Sequence, residues 1–64
     1  MKVVILDYST GEIYLVTNAD EFVNLEGQVD LEAMVDHINE TLDTYIRTDD
    51  IEWMSTEETK INII

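Results

Sequence analysis

Two apolar runs at the start of the chain constrain the fold more than any other feature. Lys2–Tyr8 (KVVILDY) and Glu12–Thr17 (EIYLVT) flank Ser9-Thr10-Gly11. Both are rich in β-branched and aromatic residues, which suit a pleated strand. A three-residue loop ending in Gly predicts a type I turn followed by a bulge, with Gly11 in the left-handed region. That register puts Val3, Ile5, Ile13 and Leu15 on one face and Val4, Leu6, Tyr8, Tyr14 and Val16 on the other. Both faces are then apolar, whereas an antiparallel sheet with one solvated face alternates apolar with polar. A single helix covers only one side. The second face calls for cover from the segment Asn18–Gly27 or from another chain, and a homodimer through Val4, Leu6, Tyr8, Tyr14 and Val16 is one expectation.

The rest of the chain supplies that single helix. Asp30 is the expected N-cap, with Glu32 in the first turn, where the helix dipole favours an anion. Leu31, Met34, Val35, Ile38, Leu42, Tyr45 and Ile46 follow helical spacing and predict a helix over about 30–45, its end weakened near Thr44 by poor helix formers. Asn18–Gly27 (NADEFVNLEG) reads as a loop with one or two helical turns, capped by Asn18 or Asp20 and stopped by Gly27. Phe22, Val23 and Leu25 are expected to face inward. Asp49–Ile64 reads as a second hairpin: Ile51 and Trp53 alternate with Glu52 and Met54, and Ile61 and Ile63 alternate with Lys60 and Asn62. Ser55–Thr59 is the expected turn, without a Gly to fix its type. Trp53 is expected to anchor the core. The prediction is one small α+β domain over 1–64, of ββαββ order, with an antiparallel sheet and the main helix on one face.

Size and composition bear on whether such a fold holds. A chain of 64 residues buries only about 60% of the surface it exposes when unfolded. There is no Cys, so neither a disulfide nor a thiolate metal site can staple it. Val, Ile, Leu and Phe nevertheless make up 20 of the 64 residues, well above the roughly 20% that marks a disordered composition. A folded domain is expected.

Charge restricts function. Fifteen acidic and 3 basic residues give a net charge of −12. Lys2, Arg47 and Lys60 form no cluster, which argues against direct binding to nucleic acid or to an acidic membrane. No apolar run approaches the 18 or so residues of a membrane span, and Val3-Val4-Ile5-Leu6 is too short for a secretory signal. A soluble, cytoplasmic protein is the expectation.

The inventory for chemistry is thin. His37 is the single residue that ordinarily titrates near neutrality, and no triad or Gly-rich phosphate loop surrounds it. An EF-hand frame starting at Asn18 fails at Phe22 and Gly27. No catalytic residue, cofactor or dedicated metal site is expected. A small enzyme or divalent-metal-binding protein built on His37 and nearby carboxylates is the weakest alternative.

One pattern breaks a local rule. Glu32, Asp36, Glu40 and Asp43 fall within an arc of roughly 80° at helical spacing, opposite the apolar stripe and beside Asn39. Glu32–Asp36 and Asp36–Glu40 are like-charge pairs, each costing a few tenths of a kcal/mol. No Lys or Arg lies among them, and Asp43 stands near the negative end of the dipole. Such violations often mark function. The expected role is a non-enzymatic protein-interaction module that offers Glu32, Asp36, Glu40 and Asp43 to a basic protein partner. Asp49, Asp50 and Glu52 extend the surface if they share its side. The first alternative is a DNA mimic that inhibits a nucleic-acid-binding protein.

Overall fold

The computed structural model describes residues 1–64. In chain order it has β1 (Lys2–Asp7), β2 (Glu12–Val16), a 3-10 turn at Ala19–Phe22, α1 (Leu31–Leu42), a second 3-10 turn at Thr48–Asp50, and β3 (Ile51–Thr56). The strands form one antiparallel sheet in the order β2-β1-β3. This is the expected α+β architecture, an antiparallel sheet packed against one main helix. No helix is long and apolar enough to cross a membrane.

The first hairpin forms, but its register differs from the expectation by one residue. Asp7 pairs with Glu12, so the loop is Tyr8–Gly11. Asp7 takes hold of that loop. Its carboxylate accepts from the Ser9 backbone N–H at 2.9 Å and the Ser9 hydroxyl at 2.7 Å, and its carbonyl accepts from Gly11 N–H at 2.8 Å. Asp side chains favour this kind of local turn. Gly11 has the expected left-handed backbone, φ 77°. Because side chains alternate with period 2, the slip moves all of β2 to the opposite face. Tyr14 and Val16 join Val3 and Ile5 on the helix side, and Ile13 and Leu15 join Val4 and Leu6 on the other.

The core lies between the sheet and α1. Val3, Ile5, Ala19, Met34, Val35, Ile38 and Ile46 are buried, with Phe22, Val29 and Leu31 packed around them. Fully burying one large apolar side chain of this kind stabilises a fold by about 1.5–3 kcal/mol. Asp30 caps α1 as expected, its carboxylate accepting from Ala33 N–H at 3.1 Å. The helix stops at Leu42, where Asp43 adopts the left-handed conformation with φ 54° and donates its N–H to the Asn39 carbonyl. This early stop leaves Leu42 exposed and Tyr45 87% exposed, outside the core that their spacing suggested, while Ile46 returns to it.

Two further expectations change. The Asn18–Gly27 segment sends Ala19 and Phe22 into the helix-side core and so does not cover the second face of the sheet. Leu25 is fully exposed at the tip of a turn tied by Asn24, whose side chain accepts from Glu26 and Gln28 N–H, both at 2.9 Å. At the other end, Lys60–Ile63 carries no strand, and Ile61, Ile63 and Ile64 are exposed. Without Gly or Asn, Ser55–Thr59 lacks a residue suited to the positive φ of a tight hairpin. β3 therefore ends the sheet as an edge strand, and Trp53 on it is 39% exposed and is not a core anchor.

Candidate functional site

Three of the expected acidic residues meet at one cleft. It lies between α1 and the strand-like return after it, holds about 290 Å³, and is lined by Glu32, Val35, Asp36, Ile46, Arg47, Thr48 and Asp49. Its floor is apolar because Val35 and Ile46 belong to the core, and its rim is charged. Glu32 and Asp36 come from successive turns of α1, so their spacing along the helix axis is about 6 Å. Arg47 supplies the one positive charge, 3.8 Å from Asp49 on an exposed rim. A pair of that kind contributes 0–1 kcal/mol, by order of magnitude.

The return of the chain to this cleft depends on Asn39. Its side-chain carbonyl accepts from Ile46 N–H at 2.8 Å and from the Thr44 hydroxyl at 2.9 Å, and its amide donates to the Ile46 carbonyl at 3.0 Å. Asn39 is thus a clamp between α1 and the Thr44–Ile46 segment rather than a member of the acidic face. Spacing alone could not separate these roles, because Asn39 sits between the apolar stripe and the acids.

The remaining acids divide. Glu40 continues the exposed row on α1. Asp43 terminates the helix. Asp50 lies in the second 3-10 turn, and its carbonyl accepts from Tyr8 N–H at 2.9 Å. Glu52 does not share the side of Asp49: it pairs with Leu6 in the sheet and stands on the face away from α1. Glu32, Asp36, Glu40 and Asp43 make no side-chain hydrogen bond or ion pair within the chain.

Other titratable groups are engaged elsewhere. His37 is exposed, with its ring centroid 5.4 Å from that of Phe22. The buried Asp7 has its carboxyl held below the ordinary Asp value, chiefly by the Ser9 hydroxyl and further by backbone N–H donors. Its contact with Ser9 brings a hydroxyl to a carboxylate, but an acid stabilised in its charged form is a weak base. Tyr14 donates to Glu12 at 2.7 Å, and this hydrogen bond, with burial and the nearby charges of Glu12 and Asp7, pushes its phenol up to about 12. Tyr14 and Val16, expected at a dimer surface, lie on the helix side instead, and Tyr8 is exposed in the hairpin loop. No three carboxylate or imidazole groups converge closely enough to hold a metal ion.

No family model, curated protein or solved structure matches the chain.

Proposed function

We propose that the protein is a non-enzymatic interaction module that presents the acidic side of α1, with the adjoining cleft, to a basic protein partner. One observation carries this reading: Glu32, Asp36 and Glu40 are exposed on successive helical turns and have no partner in the chain. Each like-charge pair costs a few tenths of a kcal/mol, and Arg47, the one cation at the cleft, pairs with Asp49 rather than with these three. The cleft adds apolar floor from Val35 and Ile46 between Glu32, Asp36 and Asp49, enough to seat the aliphatic stem of a Lys or Arg while the carboxylates meet its head.

DNA mimicry is a narrower form of the same idea. The carboxylate spacing of about 6 Å favours it. Length weighs against it, since α1 has 12 residues and spans about 18 Å, roughly half a turn of duplex at about 34 Å.

The test compares the intact protein with a variant carrying Glu32→Gln, Asp36→Asn, Glu40→Gln and Asp49→Asn. Each is used as bait in source-cell lysate, and the captured protein is then purified and titrated against both at rising salt. The expected result is a basic protein bound by the intact chain, at least tenfold weaker with the variant, and weakened by salt. Equal retention by both baits, or salt-independent affinity, overturns the reading. DNA that competes for the same target favours mimicry.

A further inference from the structure

The face of the sheet away from α1 has no cover in this chain. Cross-strand pairing aligns Leu15, Val4 and Met54 in one row and Ile13, Leu6 and Glu52 in the next. Leu6 is 40%, Leu15 45%, Met54 58% and Ile13 61% exposed. Between β1 and β3 this face is recessed by a hollow of about 170 Å³, lined by Val4, Leu6, Glu52, Trp53 and Met54.

Its charge is as telling as its apolarity. The chain carries −12, yet the charged strand residues of this face are Lys2 and Glu52 alone, and they cancel. They also stand at opposite ends. Lys2 pairs with Thr56 at one end, and Glu52 pairs with Leu6 at the other.

The geometry points to a homodimer formed by apposition of two copies of this open sheet face, with Lys2 of each copy reaching Glu52 of the other. A two-fold axis in the plane between the sheets and perpendicular to the strands reverses strand direction across the interface. The Lys2 end of one copy then lies over the Glu52 end of its partner, twice by symmetry. Sheets packed face to face keep their strand directions within about 30°, which leaves this pairing in reach. Among the strand residues of the face Glu52 is the single carboxylate, and it meets Lys2, while the acidic side of α1 stays outside the contact. The chain's own segment after β3 leaves Ile61, Ile63 and Ile64 exposed and does not cover the face.

Size sets the strength. Three strands about 4.8 Å apart and five residues long at about 3.3 Å each give roughly 250 Å² of projected face. A standard interface takes about 800 Å² from each partner. The dimer is therefore weak, and it is sought at protein concentrations from about 10 μM to 1 mM.

Sedimentation equilibrium of the full chain across that range, in moderate salt, tests the proposal. The expected result is a concentration-dependent monomer–dimer equilibrium. Ile13→Lys, at a position already mostly exposed in the monomer, should weaken it at least about tenfold. Lys2→Glu and Glu52→Lys should each weaken it by about threefold to tenfold, and the double exchange should restore it to within about twofold of the original. Far-UV circular dichroism checks that each variant is folded. A monomer up to 1 mM, a dimer indifferent to Ile13→Lys, or single exchanges without rescue overturns the proposal. Because the acids of α1 lie outside this contact, their neutralisation should leave the dimer intact. Failure here is thus separable from failure of the partner-binding reading.

Discussion

The central strand β1 presents two apolar faces with opposite fates. Val3 and Ile5 are fully buried under α1, and Asp7 at the end of the same face is almost as deeply buried. Val4 and Leu6 alternate with them in sequence and are equally apolar, yet Leu6 is exposed. Residue type does not separate these faces; cover does. The helix side is closed by α1, by Ala19 and by Ile46, each placed by its own local device, whereas nothing in the chain closes the other side. Burial under α1, rather than apolar character, sets what each face contributes to the fold.

The largest effect expected is the contrast between neighbours on β1. Ile5→Ala should cost about 2–5 kcal/mol, as deletion in a close-packed core does, while Leu6→Ala should cost about 1 kcal/mol or less in dilute solution. Urea unfolding of both variants at low micromolar concentration measures this. Equal losses would mean that the open face is covered in solution even in the monomer.

Next comes the closure of the helix side. Asn39→Ala removes three hydrogen bonds to Thr44 and Ile46 and should cost about 1–3 kcal/mol, because the freed Ile46 backbone groups are held close to the core. Amide hydrogen exchange should show lost protection at Ile46 first. A loss spread evenly over the fold would contradict the clamp.

A smaller effect has the opposite sign. Asp43 has a left-handed backbone and a negative charge at the C-terminal end of α1. Asp43→Gly relieves both and should stabilise the fold by about 1 kcal/mol. For a domain of this size that raises Tm by about 4–8 °C. An unchanged Tm would indicate that the Asp43 side chain has a compensating role.

The smallest effect is a slope with pH. Asp7 has a depressed carboxyl in the fold, so its contribution is fully present above the ordinary Asp value of about 3.9 and is lost as pH falls through the lower folded value. Asp7→Asn keeps an acceptor for Ser9 and removes the titration. The difference in Tm between the two proteins should be flat near neutral pH and should shrink below about pH 4. A difference that stays constant down to pH 2 would remove Asp7 from the acid limb.

Much of this fold is legible in the residues. Gly11 marks the hairpin, and Asp30 with the Leu31–Ile38 spacing marks α1, because these are local signals read within a turn or two. The hairpin register was not legible. Ser9-Thr10-Gly11 suits a three-residue loop, but the Asp7 side chain binds Ser9 and makes the loop one residue longer, which reverses the faces of Ile13, Tyr14, Leu15 and Val16. The acidic residues of α1 were legible as a row, but their meeting with Asp49 across a cleft was not. That depends on the turn at Asp43 and on Asn39 holding Ile46, a contact seven residues away in sequence. Lys60–Ile63 has strand character but lacks a turn to bring it back to β3.

Propensity, hydrophobic period and net charge were enough for the class of fold, the helix and its cap, the presence of the first hairpin and an anionic surface, because they act locally or by sum. Tertiary structure alone decided which apolar face is covered, which acids share a cleft and which residue is a clamp rather than a site. Those outcomes depend on side chains that meet across loops, where a one-residue change in register or helix length redirects every residue that follows.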